Sequence, residues 1–350
     1  MEKICLHKGE LKQIWMMVGK IMTYKAFTLS KYPQGHITTD IFELVTLAQP
    51  TLKEGEFLVK QTHMSLDPAM RTWLQPREDS YLPPVQIGEV MRSYGVGVVV
   101  DSLNAQFPVG THVVGVTGWS EYVLGHADMQ VIDASIPAEA ILALFYFTGL
   151  TAYAGLMKVG KPKKGETLVV TGAAGSVGSL VGQLAKAEGL RVVGVAGSDE
   201  KCKWLVEELG FDAALNYKAE DFEAQLRVAA PNGVDVFYEN TGGSIQEIIF
   251  NQLNRYARVI VCGVLADYDH EVPAKGPSWV DINLKSLRVQ GFIVTDYASF
   301  ADEAMSVLGC YLAEGKIQYK TYTVEGFESL PEGLMKLFKG ENTGKFIVKF

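Results

Sequence analysis

Through residues 22–140 the apolar positions come in short runs broken by polar ones, as in GEFLVKQTHMSL, GVGVVVDS and THVVGVTGWSEYVL. Gly, Pro and Asn turn signals separate these runs, and a period near two between such signals predicts half-buried strands. After SIPAEA the pattern changes. Pro137 and Glu139 suit a helix start, and Ile141–Met157, ILALFYFTGLTAYAGLM, carries no charge. The run falls short of the ~20 apolar residues a membrane span needs and is interrupted by glycines and threonines. A buried helix is the reading, and no membrane partner is expected.

From Lys161 onward, strand-like and helix-like patterns alternate quickly: TLVV, SLVGQLAKA, RVVGVAG, then SDEKCKWLVEELG. GVDVFYENTG, YARVIVCGV and LRVQGFIV add three more apolar strands. Strands alternating with helices predict a parallel sheet with right-handed crossovers. The chain closes with a return that ends in the strand-like KFIVKF. The expected class is α/β: a β-rich domain over 22–140, a doubly wound parallel sheet over 141–310, and a return to the first domain over 311–350. Residues 1–21 read as an extension.

Composition narrows the function. With 48% hydrophobic and 21% charged residues and a net charge of −8, the chain has the make-up of a soluble globular protein rather than a nucleic-acid binder. Cys5, Cys202, Cys262 and Cys310 share no metal-like spacing, and the apolar patch Ile14–Val18 is too short for a signal core. Free thiols and a cytoplasmic location follow as expectations. His7, His36, His63, His112, His126 and His270 show no motif spacing among themselves, and no metal is expected.

The sharpest signal is TGAAGSVGS, Thr171–Ser179, between an apolar strand and a helix. Of the three glycines, Gly172 permits the tight turn, Gly175 lets backbone approach a pyrophosphate, and Gly178 lets helix and strand pack closely. Ala174, Ser176 and Val177 complete the turn, and the helix start aims free amides at the phosphates. The alternative, a packing turn with no ligand, loses ground because strand, turn and helix come in the required order. A site for NAD usually places an acid ~20 residues on. Here the second strand ends in Gly197 and Ser198, Asp199 and Glu200 fit the first turn of the next helix, and Lys201 follows. A missing acid beside a lysine fits the 2′-phosphate of NADPH; a solvated surface lysine is the plainer alternative.

Beyond these patterns the sequence resembles the medium-chain dehydrogenase/reductases. Within them it resembles the zinc-free double-bond reductase branch of prostaglandin and leukotriene reductases, alkenal reductases and curcumin reductase. LDPAMR, GLTAYAGL, TGAAGSVGS, GSDEK, LNYK, YENTGG, CGVLADY, EGKIQYKTYTVEGFESLP and KGENTGKFIVK carry the resemblance, which covers nearly everything after Met22. It implies a GroES-like first domain, a Rossmann second domain and a homodimer. Zinc-bearing members show Gly-His-Glu where this chain has Ile87-Gly88-Glu89, and the Cys cluster of their structural zinc lobe is absent.

The resemblance also implies site residues. Lys201 and Tyr217 would hold the 2′-phosphate, and Asn240 would line the cofactor cleft. Cys262–Tyr268, with Phe292 and Val294, would border the nicotinamide, and Asn342 would reach the phosphate region. The implied reaction reduces the C=C bond of a conjugated ketone or aldehyde, and Tyr268 is the candidate to hydrogen-bond the enolate oxygen. Tyr94 and Tyr153 are weaker candidates, while Arg71 and Asp67 read as a structural pair. One departure stands out: Ala69 replaces the branch's usual tyrosine, which implies a roomier pocket. Quinone reduction and non-catalytic NADPH binding remain open as alternatives.

Overall fold

The computed structural model describes residues 22–77, 79–268 and 277–350. The expected extension at 1–21, Cys5, His7 and His270 lie outside the described residues. In the first domain, β1 (Thr23–Leu29) pairs antiparallel with β2 (Phe42–Ala48). Next come β3 (Phe57–Leu66), β4 (Tyr94–Ser102), β5 (His112–Val116), β6 (Tyr122–Leu124) and β7 (Gln130–Val131). Trp73 and Trp119 are fully buried in this half, between the strands and the helix Leu330–Phe338 of the return.

The second domain holds β8 (Thr167–Val170), β9 (Arg191–Ala196), β10 (Ala213–Asn216), β11 (Val234–Glu239), β12 (Leu253–Val261) and β13 (Arg288–Gly291). They form one parallel sheet in the order β10-β9-β8-β11-β12-β13. The order reverses direction between β8 and β11, the doubly wound arrangement in which ligands bind outside the carboxyl ends of the strands at the reversal. All four residues of β8 are buried, because helices cover both faces of the sheet.

The last strands, β14 (Thr321–Glu325) and β15 (Lys345–Lys349), leave the second domain and join the sheet of the first. That sheet runs β14-β15-β3-β4-β5-β7, with β6 also paired to β3. At the junction the ammonium of Lys345, only 3% exposed, lies 2.5 Å from Asp67 Oδ1. It also donates to Thr148 Oγ1 at 3.1 Å. One buried cation therefore ties the end of β3, the helix Phe147–Tyr153 and the return strand.

Two expectations need correction. The uncharged run Ile141–Met157 is not one helix. It divides into helices Ala138–Ala143 and Phe147–Tyr153, and the latter widens into π-type turns over Ala154–Gly160. The chain doubles back so closely at the break that a Cβ on Gly149 would lie 1.8 Å from the Leu144 carbonyl oxygen. Residues Ala138–Gly160 are long and apolar enough to cross a bilayer, yet most of the run is buried in the protein. The strand expected at LRVQGFIV stops at Gly291, and Val294 opens a 3₁₀ turn.

Candidate active site

The glycine turn lies at the carboxyl end of β8. Gly172 adopts φ +57°, the left-handed region that a side chain disfavours. A Cβ on Gly178 would stand 2.4 Å from the Gly172 oxygen, so the helix packs on the turn only because that atom is missing. A Cβ on Gly175 would meet only the Gly172 oxygen, at 3.2 Å. Gly175 caps the helix Ser176–Ala187 without a side-chain hydrogen bond. The amides of Ser176, Val177 and Gly178 therefore lack both intrahelical and capping partners, which is the arrangement an anionic phosphate takes up. The turn fits the pyrophosphate of a dinucleotide.

The return segment straps this turn from outside. Gly344 donates its amide to Ala174 O at 2.8 Å, and Asn342, itself buried, donates its side-chain amide to Gly344 O at 2.8 Å. Lys201 donates to Gly340 O at 2.5 Å. The structure thus brings Ala174, Lys201 and Asn342 together through residues 340–344.

At the end of β9, Ser198 caps the helix Asp199–Glu207, and its hydroxyl accepts from the Lys201 amide. Asp199 is engaged from outside, where Asn216 donates to it at 2.7 Å. Tyr217 packs against Gly197, whose Cβ would lie 3.2 Å from the ring. Lys201 is half-buried rather than fully solvated; burial and then the charge of Lys218 hold its ammonium below the usual lysine range. Ser198, Lys201, Tyr217 and Lys218 form a cationic corner, whose Lys201 also feels the charge of Glu200. Lys218 was missed in the sequence, although it follows Tyr217 directly in LNYK. Beside the corner a cavity of about 360 Å³ is lined by Tyr217, Thr241, Gly242, Gly243, Ile245 and Ala266.

Across the reversal point, Asn240 follows β11. Its side chain donates to Thr171 O at 2.8 Å, and its Cβ lies 3.4 Å from where a Cβ on Gly172 would sit. The loop Cys262–Tyr268 comes next in space. Leu265 and Ala266 donate their amides to Asn240 O and Thr241 O. Tyr268 folds back so that its hydroxyl is 3.5 Å from the Val264 amide and 3.3 Å from where a Cβ on Gly263 would stand. Gln75 of the first domain donates to Tyr268 O at 3.1 Å, so both domains fix the residue. Burial raises the Tyr268 phenol above its ordinary range, against the opposing pull of the Val264 amide. The phenol is therefore a neutral donor near pH 7.

Cys262 donates its amide to Glu239 O at 2.9 Å. Its thiol turns inward to the hydroxyl of fully buried Tyr238, and burial pushes it up to about 12. Phe292 stands edge-on to Tyr238 at 6.5 Å, and Val294 packs with Leu150 and Tyr153. These contacts make a largely apolar cluster behind the tyrosine loop. Tyr153 is committed to Glu303 at 2.6 Å, and Tyr94 packs edge-on to Trp73 and against Phe147. Asp67 is held by Lys345, while Arg71 donates to Gly35 O at 3.1 Å. Sequence reading passed over Thr171, Glu239 and Lys345, whose partners are distant in the chain.

Among the described residues no group of three or more His, Cys, Asp or Glu side chains could hold a metal ion. A β-domain joined to a doubly wound sheet whose glycine turn, cationic corner and tyrosine loop share one cleft defines a dinucleotide-dependent oxidoreductase in class. Comparison with known proteins narrows this. A family model described as the N-terminal domain of oxidoreductase matches residues 25–132, and one described as zinc-binding dehydrogenase matches 176–308. Prostaglandin reductase 1 of Bos taurus is 39% identical over 93% of this chain and 98% of its own length. The NADPH-dependent curcumin reductase of Escherichia coli is 38% identical over 93% and 96%. The structure of CurA from Vibrio vulnificus in complex with NADPH superimposes with a TM-score of 0.89 at 36% identity, covering 93% of this chain and 98% of that one. The chain belongs to the medium-chain dehydrogenase/reductases, in the zinc-free branch that holds prostaglandin and curcumin reductases.

Proposed function

We propose that the protein reduces the C=C bond of α,β-unsaturated ketones and aldehydes with NADPH, and that Tyr268 stabilises the enolate oxygen. The observation that carries this is the Tyr268 hydroxyl, on a residue fixed by Gln75 of the first domain and on a loop that touches the Asn240 turn beside the glycine turn. The relatives named for NADPH or for conjugated substrates support it. The amides of 176–178 would hold the pyrophosphate, Ser198, Lys201, Tyr217 and Lys218 the 2′-phosphate, and the cavity beside Thr241 the adenine. Cys262, Phe292 and Val294 would wall the nicotinamide side, and Asn342 would keep the strap closed over the turn.

When bound, NADPH supplies the hydride that the β-carbon takes. Charge moves to the carbonyl oxygen, where the Tyr268 hydroxyl would donate a hydrogen bond. The α-carbon then takes a proton from solvent. An unchanging hydrogen-bond donor aimed at developing charge is the usual largest contribution of a protein to such a step. Ala69 packs at the edge of the first domain's core, and its lack of a ring and hydroxyl would suit a roomier pocket.

A homodimer belongs to the same reading. β13 is the outer strand of its sheet, and beside it Trp279, Leu284 and Val280 are 84%, 69% and 63% exposed. A strand edge with no partner among the described residues, next to exposed apolar side chains, suits pairing with a second copy. Light scattering should give twice the chain mass, and Trp279→Glu should shift it toward the monomer. The free Cys202, Cys262 and Cys310 fit a reducing, cytoplasmic setting.

The test of the reaction is NADPH oxidation with a panel of 2-alkenals, linear enones and quinones, with products identified by mass. Saturated carbonyl products support the reading. NADPH binding without turnover on any conjugated acceptor would leave a cofactor-binding protein instead.

A further inference from the structure

Glu239 ends β11 at the point where the strand order reverses, and it is 0% exposed. Its Oε1 gathers three donors: the Thr171 hydroxyl at 2.5 Å, the Thr241 amide at 2.6 Å and the Gly242 amide at 3.1 Å. Thr171 in turn accepts from the Asn240 amide at 2.9 Å. The main-chain oxygen of Glu239 accepts from Cys262 and Gly263, the first residues of the loop that ends in Tyr268. One residue thus binds the glycine turn, its own turn and the tyrosine loop. Its Oε2 is buried and has no partner among the described residues. A carboxyl with one oxygen fully used and the other unused is costly in a dry site unless that cost serves placement.

We propose that Glu239 is a positioning residue for the cofactor: by clamping Thr171 to residues 241–242 it fixes Asn240 and the spacing of the two turns between which the dinucleotide lies. It does not touch the reacting atoms. The inference rests on the NADPH-binding part of the proposed function and not on the identity of the substrate. Burial pushes the carboxyl above its usual range, against the lowering pull of the Thr171 hydroxyl and the neighbouring main-chain amides.

The geometry makes a sharp distinction between two variants. Glu239→Gln keeps an oxygen where Oε1 stands and changes only the unused position; Glu239→Ala removes the clamp. Calorimetric titration of the purified protein with NADPH and NADH reads the outcome directly and needs no turnover. Misplaced turns predict that Glu239→Ala raises Kd about tenfold or more for both cofactors by the same factor. Glu239→Gln should stay within about threefold of wild type, and KM for an enone that the wild type reduces should be unchanged in both.

If Glu239→Ala does not fold, Thr171→Val decides, since it leaves the carboxyl in place and removes only the hydroxyl of the clamp. It should show the same parallel loss of NADPH and NADH affinity. Wild-type affinity in a folded Glu239→Ala or in Thr171→Val would overturn the proposal. So would a loss confined to NADPH, which would place the effect at the cationic corner. A protein that turns over no enone but loses both cofactors in Glu239→Ala would refute the substrate reading and leave the clamp standing.

Discussion

The two ends of the cleft are built on different principles. The corner at Ser198, Lys201, Tyr217 and Lys218 is half-open, cationic and held by a strap from the end of the chain, with Lys201 on Gly340 and Gly344 on Ala174. The end at Tyr238, Cys262, Tyr268 and Phe292 is aromatic and partly to fully buried, and it is held by hydrogen bonds that reach across domains, such as Gln75 to Tyr268. An open corner can recognise charge with little demand on exact placement, because the interaction is long-ranged and water fills the gaps. Under the proposed function, the more buried end would have to place one hydroxyl to within a fraction of an ångström, since the chemistry depends on where charge develops. Recognition and reaction are therefore separable by mutation.

The junction that keeps both ends facing each other should give the largest effect. Lys345→Met would leave Asp67, whose side chain is 19% exposed, without its cation though still bonded by the Ser65 hydroxyl, and would lose the bond to Thr148. Breaking one side of a buried ion pair costs about 3–5 kcal/mol. Chemical denaturation should show that loss, and a shift under ~1 kcal/mol would mean that the junction is held by packing alone.

Next comes the reacting end. Tyr268→Phe keeps the ring and removes the hydroxyl, so kcat should fall roughly 100- to 1000-fold while NADPH affinity holds. Loss of cofactor affinity with kcat intact would reverse the roles assigned to the two ends. At the cationic corner, Lys201→Ala should weaken NADPH about tenfold and leave NADH nearly unchanged, as expected for one partly exposed charge on a phosphate. Equal loss for both cofactors would show that Lys201 acts through the strap and Gly340 instead.

The smallest effect tests dryness. A thiol pushed up to about 12 is almost wholly protonated at pH 8, so Cys262 should resist brief alkylation while exposed Cys310 reacts. Peptide mass mapping separates the two, and rapid labelling of Cys262 would show water at the reacting end.

This contrast also explains what was legible in the sequence. Gly172, Gly175 and Gly178 announce themselves because the backbone itself requires them, through a left-handed φ and a helix packed against a carbonyl. The doubly wound sheet is legible for the same kind of reason: a strand covered on both faces must be apolar throughout. The break at Leu144–Tyr146 was not, since an unbroken apolar run gives no sign of where a buried helix turns. Nor were Glu239 and Lys345. An acid at a strand end and a lysine in a strand look like solvated charges until the fold brings up Thr171 from 68 positions away and Asp67 from 278. Tyr268 and Asn342 came from resemblance to a family, and their contacts with Gln75 and Gly344 are what the fold adds.

The central claim is that the β-carbon, and not the carbonyl carbon, receives the hydride. NADPH carrying deuterium at the transferred position, incubated with a 2-alkenal in ordinary water, tests it in one experiment. Mass and NMR analysis should find a saturated aldehyde with deuterium on the β-carbon and hydrogen on the α-carbon. An unsaturated alcohol with deuterium on the former carbonyl carbon would contradict the account.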